Sequence, residues 1–273
     1  GYSAGGRPMV FARKPAPVQI GGLGYATGFG IIAMDYLIAD DVVIPERHEQ
    51  FYRERILRLP CFMGYEQAPP WPEIGPAPRA RNGYVTYGYC GRALKISPQT
   101  LAAWGEILRR VPDSRLLLKC GEYDTDEVIP RQIQAALGAF GVTPDRIAFH
   151  GGSSRFDHLA AYGEIDISLD PFPHAGGVTS VETFLMGVPT VTLLGDYFCG
   201  RTGAALLTAF GLAHAGARTP FEYVSHAVSM ADDVWTLEDR QALRWRVQRS
   251  VLMDQDAYAA LSIKALSSAL PIQ

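Results

Sequence analysis

From residue 84 onward the chain alternates short apolar runs with helical patterns, and this rhythm restricts the fold more than any other feature. Residues 84–89 form a β-rich run. Pro98 opens a helical pattern carrying Leu101, Trp104, Ile107, Leu108 and Val111 at spacings of three and four. Leu116, Leu117 and Leu118 are continuously apolar, as suits a strand buried on both faces. Helices are expected over 128–140, 156–162, 180–186 and 201–210, and strands over 146–149, 165–169 and 190–194. Such alternation predicts an α/β fold built on a parallel sheet with crossover helices. Residues 239–270 read as mostly helical.

The first 60 residues have another character. A loop rich in Gly and Pro leads into the apolar Val18-Gln19-Ile20 and a cluster of glycines at 21, 22, 24, 28 and 30. Residues 37–44 read as a strand with a turn at Asp40-Asp41. This is expected to be the tail of an alternating α/β domain. Between it and the regular half lie five prolines in residues 67–78, which fix φ and remove donors, so an extended linker or irregular surface chain is expected. The expected organisation is therefore a partial first domain over 1–66, a Pro-rich linker over 67–82 and a complete α/β domain over 83–273.

Composition removes several function classes. With 48% hydrophobic and 19% charged residues the chain is a folded protein, not a disordered one. Its net charge of −3 supplies no basic field for general nucleic-acid binding. No apolar run approaches the ~20 residues of a membrane span. Cys61, Cys90, Cys120 and Cys199 lie far apart, without C-x-x-C spacing, which predicts free thiols in a reducing compartment, by default the cytoplasm. Neither a zinc-binding His motif nor a G-x-S-x-G nucleophile elbow is present. Asp166 and Asp170, four apart on a strand, lie too far from each other for a catalytic pair.

In an open parallel sheet ligands bind beyond the carboxyl ends of the strands, so the strand-to-helix loops carry the functional signal. Arg92 and Lys95 precede the helix at Pro98, where cations and helix donors together suit an anion; a solvated basic loop is the alternative. In the segment 150–158, Ser153 or Ser154 is placed to cap a helix. Arg155 and His158 share one face, suited to a base or phosphate, or simply exposed. The loop 170–182 is the most telling. Gly176 and Gly177 permit close backbone approach, Thr179 and Ser180 supply donors at a helix start, and Glu182 lies one turn on, where it can accept from ribose hydroxyls. That combination suits a nucleoside diphosphate. Arg201, after the glycine loop at 195–200, is either an anion contact or a structural ion-pair partner.

With these loops in view, the chain resembles the C-terminal part of the catalytic region of the O-linked N-acetylglucosamine transferase (SPINDLY-like) family. Phe11-Ala12-Arg13-Lys14-Pro15-Ala16-Pro17-Val18-Gln19 resembles the family's F-A-x-R-P-A-P-x-Q. Leu23-Gly24-Tyr25, then Met34-Asp35-Tyr36, resembles its L-G-Y…M-D-Y. Lys95-Ile96-Ser97-Pro98 with Trp104, Ile107-Leu108 and Val111-Pro112-Asp113-Ser114 follows its K-I-x-P…W…I-L…V-P-x-S. Leu185, Gly187-Val188-Pro189, Val191-Thr192, Gly195 and Arg201 continue the match.

The resemblance implies the C-terminal half, plus a remnant of the N-terminal half, of a GT-B type glycosyltransferase with two facing Rossmann-like domains. It implies transfer of N-acetylglucosamine from UDP-GlcNAc to Ser or Thr of an acceptor protein, with inversion and without a metal or other cofactor. Another activated sugar, such as a nonulosonic acid for flagellin, or a non-catalytic nucleotide-sugar-binding module, are the alternatives. By position, Lys95 resembles the lysine that neutralises the departing diphosphate. Arg92 and Leu94 fall beside it, Arg155 and His158 on the uridine side, and Gly177, Val178 and Thr179 at the phosphates. Glu182 falls at the ribose, and Leu23 and Gly24 on the sugar and acceptor side. Ala26-Thr27-Gly28-Phe29-Gly30 and Gly177-Val178 depart from the family's usual P-G-T-S-G and H-T. The family's upstream catalytic segment and tetratricopeptide repeats are expected in the complete protein, and this chain alone is expected to be inactive.

Overall fold

The computed structural model describes residues 6–22, 26–66 and 70–270. Two parallel sheets organise them. The first is built from β1 (Ile20–Gly21), β2 (Tyr36–Ala39) and β3 (Arg55–Arg58) in that order. After a short helix α1 (Arg79–Asn82) comes the Rossmann-like half: β4 (Thr86–Cys90), α2 (Pro98–Arg110), β5 (Arg115–Lys119), α3 (Val128–Gly138), β6 (Ile147–His150), α4 (Arg155–Ala160), β7 (Ile167–Leu169), α5 (Val178–Leu185), β8 (Thr190–Val191) and α6 (Phe198–Ala209). Three helices follow: α7 (Pro220–Asp232), α8 (Leu237–Gln248) and α9 (Gln255–Ala269). The second sheet has the order β6-β5-β4-β7-β8, every pairing parallel.

Side-chain alternation explains how the layers form. On β4 and β5, Val85, Tyr87, Tyr89, Leu116 and Leu118 face one core with Trp104, Ile107 and Leu108 of α2. Cys90 and Leu117 face the other, with Leu159, Tyr162, Ile165 and Met186. The Leu116-Leu117-Leu118 run is buried on both faces, as its composition predicts. Gly88 is glycine because a Cβ there would lie 2.4 Å from Ile165. The buried polar atoms of Tyr87, Trp104 and Tyr223 find partners. Tyr87 Oη donates to Ala227 O at 2.7 Å, and Trp104 Nε1 donates to Tyr223 Oη at 3.1 Å.

Helix α7 escaped the periodicity reading: its buried positions are Tyr223, Val224, Ala227 and Ala231, whose alanines carry little apolar signal. Strand β3 escaped it because arginines flank Ile56-Leu57. The expected strand at 190–194 pairs only over Thr190–Val191, then continues as a bridge from Leu193 to Ala217. The helical region at the C-terminal end is two helices, α8 opened by a Thr236–Asp239 capping box and α9 by an Asp254 cap.

The two sheets share a core. Leu37, Val43, Ile44, Phe62 and Met63 pack with Phe184, Leu185, Phe198, Leu206 and Leu243. Helix α9 returns to the first sheet, placing Ala269 against Tyr36, Ile38, Leu57 and Leu59. The described part of the Pro-rich segment is irregular, as expected, yet firmly anchored. Trp71 packs against both adjoining cores, Arg244 binds Pro72 O at 2.9 Å, and Arg79 N donates to Asp166 Oδ1 at 2.9 Å. Arg201 is structural: buried, it donates to Val42 O and, at 2.9 Å, to Gly195 O, joining the two parts.

Asp166 precedes β7 and accepts from the backbone N–H of both Arg79 and Thr86. Replacing it by Ala strands both donors in a dry site. Asp166→Ala should lower the unfolding free energy in urea by about 3 kcal/mol, given the cost of unsatisfied buried donors.

Candidate functional site

The strand order places a switch point at the centre of the second sheet. The chain runs from β4 outward through β5 to β6, then returns to start again at β7 on the other side of β4. The loops leaving β4 and β7 therefore diverge and leave a crevice at the carboxyl ends. A cavity of about 310 Å³ lies there. Arg92 and Lys95 from the loop after β4, and His174, Gly177, Val178 and Thr179 from the loop after β7, form one wall. Ala26, Ile38, Phe62 and Met63 of the first part form the other.

Local chemistry holds the two loops in register. Ser97 caps α2 by accepting from Thr100 N at 3.0 Å. The hydroxyls of Ser97 and Thr100 both donate to Phe172 O, each at 2.6 Å, which fastens the β4 loop to the β7 loop. Lys95 Nζ donates to Ala175 O at 2.9 Å across the same junction. Gly176 N donates to Asp170 Oδ1 at 2.7 Å, and a Cβ on Gly176 would lie 1.9 Å from Ser180 Oγ, so a larger residue here would displace the Ser180 side chain.

The electrostatics favour an anion. Gly177 precedes α5 without a side-chain cap, so the first N–H groups of that helix have no intrahelical acceptor and face the loop side. Two cationic side chains stand beside them. Burial lowers the Lys95 pKa, opposed by the charge of Asp170 beneath it. Burial also lowers the His174 pKa, and the charges of Lys95 and Arg92 lower it further. Among the described residues no group of three or more His, Cys, Asp or Glu is arranged to hold a metal.

A second cluster lies one turn along α5. Ser154 caps α4, accepting from Asp157 N at 3.1 Å, and so orients Arg155 and His158. Arg155 Nη1 binds Glu182 Oε1 at 3.0 Å, and His158 Nε2 lies 3.6 Å from Glu182 Oε2. Tyr65 Oη donates to Glu182 Oε1 at 3.2 Å and accepts from Arg155 Nη2 at 3.0 Å. The Arg155 guanidinium also stands 5.9 Å from the centre of the Trp71 ring. Burial pushes the Glu182 pKa up, but hydrogen bonds from His158 and Arg155, with their charges, outweigh it and hold the carboxyl below its ordinary value. Glu182 is 3% exposed and its oxygens are engaged. It orients Arg155 and His158.

Of the residues singled out in the sequence, Arg92, Lys95, Gly177, Val178 and Thr179 line the cavity together. Arg155, His158 and Glu182 gather in the adjoining cluster. Leu94 is 82% exposed on the turn after β4 and lies outside the cavity lining. Leu23 and Gly24 lie outside the described residues. Tyr65, Trp71 and the apolar wall of Ile38, Phe62 and Met63 carried no local motif; they reach the site only through tertiary packing.

The sequence pattern of glycosyl transferase family 41 matches residues 1–67 and 81–261. The chain belongs to this family. Among curated proteins, the probable UDP-N-acetylglucosamine–peptide N-acetylglucosaminyltransferase SPINDLY of Solanum lycopersicum is 37% identical over 257 residues, covering 93% of this chain and 28% of that protein. The SPINDLY protein of Arabidopsis thaliana is 37% identical over 252 residues, covering 89% of this chain and 27% of its own length. The chain thus spans under a third of the length of these relatives. Among solved structures, a mutant O-GlcNAc transferase of Thermobaculum terrenum superposes with a TM-score of 0.84 at 34% identity, over 95% of this chain and 48% of that one. A sucrose-phosphate synthase of Thermosynechococcus elongatus, at 15% identity and a TM-score of 0.58 over 86% of this chain and 58% of that one, shares the fold alone. The expected architecture, the Rossmann-like C-terminal half of a GT-B glycosyltransferase fold, is what this family-41 chain has.

The cluster around Glu182 yields a pH signature. Because the folded-state pKa is held below the ordinary 4.5, the carboxylate stabilises the fold fully above that value. The difference in unfolding free energy between the native chain and Glu182→Gln should shrink steadily as the pH falls below about 4.5. Urea titrations at successive pH values measure it.

Proposed function

We propose that the crevice at the switch point binds the diphosphate of a UDP-sugar, and that the complete protein transfers the sugar, N-acetylglucosamine, to Ser or Thr hydroxyls of an acceptor protein. The observation that carries the reading is the convergence of Lys95, Arg92 and the uncapped start of α5 on one cavity. Family membership and the names of the relatives support the reaction class.

In this reading the acceptor oxygen attacks the anomeric carbon from the face opposite the diphosphate. The new carbon–oxygen bond forms as the bond to the diphosphate oxygen breaks, with inversion, and the hydroxyl proton is lost to a base. Negative charge grows on the leaving diphosphate, and Lys95, Arg92 and the α5 N–H groups are fixed where that charge develops. The chain's own cations would meet that charge, with no cofactor assigned. The charge of Asp170 near Lys95 opposes the lowering of its pKa by burial. Arg155 and His158, oriented by Glu182, would hold the uridine side. Acceptor binding is assigned to the complete protein, with an N-terminal catalytic half and tetratricopeptide repeats, since this chain spans 28% of a curated relative. Cytoplasmic location fits its four free cysteines.

Calorimetric titration with UDP tests the reading, with GDP and CMP as comparators. UDP should saturate one site, and Lys95→Ala should weaken it by about 10- to 100-fold, the worth of one charge-assisted hydrogen bond to a phosphate. Absence of UDP binding to the folded chain would overturn it.

A further inference from the structure

The polar side chains of the cavity are unequal in what they offer. Lys95 and Arg92 can only donate hydrogen bonds, as can the N–H groups that open α5. These groups answer phosphate oxygens, which only accept. A hexose carries hydroxyl protons as well, and those need an acceptor nitrogen or oxygen. Of the two threonines in the lining, Thr202 is committed, its Oγ1 donating to Gly176 O at 2.7 Å, and Thr179 stands in the first turn of α5 among the N–H groups that answer phosphate. Tyr89 is buried, its hydroxyl turned towards Arg92 O.

His174 differs from all of these. It lines the cavity together with the two cations, near enough for both to act on its charge, and it is exposed. Its backbone is held on its C-terminal side, where Ala175 N donates to Cys199 O at 2.9 Å and Ala175 O accepts from Lys95. The imidazole is therefore carried on a braced loop, next to the lysine assigned to the diphosphate. A neutral imidazole both donates and accepts. Lys95 and Arg92 favour that neutral form, because a second positive charge beside them is penalised.

We propose that His174 is the specificity residue for the donor sugar, accepting a hydrogen bond from a hydroxyl of a neutral hexose attached to the diphosphate. This rests on the donor-site reading above and adds the sugar end to it. A donor that lacks the sugar, such as UDP itself, gains nothing from the imidazole. Whatever affinity the sugar adds beyond UDP, and its loss when His174 is replaced, then reports on this one side chain.

The experiment is a paired titration of the chain with UDP and with UDP-GlcNAc, in native form and as His174→Ala and His174→Gln. His174 is exposed, so neither substitution should shift the thermal midpoint, which is measured alongside. The native chain should bind UDP-GlcNAc more tightly than UDP. His174→Ala should leave UDP affinity unchanged and weaken UDP-GlcNAc by roughly three- to tenfold, the worth of one net hydrogen bond. His174→Gln, whose amide also donates and accepts, should recover most of the loss. Equal weakening of both nucleotides by His174→Ala would make the imidazole a phosphate contact and overturn the proposal. So would unchanged affinity for both. Failure of UDP to bind any of the three folded proteins would instead remove the donor-site reading on which the proposal stands.

Discussion

Asp170 is buried at the end of β7, and its polar atoms reach the elements that shape the crevice. Its backbone N donates to Val191 O at 2.9 Å, beside β8, and its carbonyl accepts from Tyr223 Oη of α7, also at 2.9 Å. One carboxylate oxygen takes the N–H of Gly176 at 2.7 Å and the other takes Thr192 Oγ1 at 2.8 Å. Burial raises its pKa, opposed by those hydrogen bonds and by the charge of Lys95. Asp170 thereby holds the glycine turn that leads into α5, and its charge acts on Lys95, whose ammonium is held by Ala175 O. A cation above it and an open helix start beside it make a phosphate site out of what would otherwise be a plain strand-to-helix turn.

Glu182 does the comparable work one turn further along α5, but it reaches beyond its own sheet. Tyr65 lies in the segment that leaves the first part of the chain, while Arg155 comes from α4. The cluster is therefore assembled from segments brought together by folding, and its geometry depends on the shared core in which Phe62 and Met63 pack with Phe184 and Phe198. Any rearrangement of the two parts changes what Arg155 touches.

Much of this was readable beforehand where period and loop chemistry coincide. The alternation after residue 84 led to the parallel sheet, and Pro98 and the Ser153-Ser154 pair marked helix starts that the structure retains, with Ser154 as the cap. Arg92, Lys95 and the Gly177–Thr179 turn fell together because strand-to-helix loops of a parallel sheet must emerge on one edge. What stayed hidden lacked a local signature. Tyr65 and Trp71 look like ordinary core aromatics in a proline-rich stretch, and only packing brings them to Arg155. Glu182 was read as an acceptor for ribose hydroxyls, and sequence shows the residue type but not Arg155, His158 and Tyr65 gathered around it. Helix α7 was missed because small alanines pack well against β7 and β8 without standing out in a hydropathy pattern.

The return of α9 to the first sheet has a mechanical consequence. The polypeptide passes between the two sheets twice, once through the segment before β4 and once between α8 and α9. Two covalent crossings, with the core shared by Phe62, Met63, Phe184 and Phe198 between them, tie the walls of the crevice to each other at both ends of the contact.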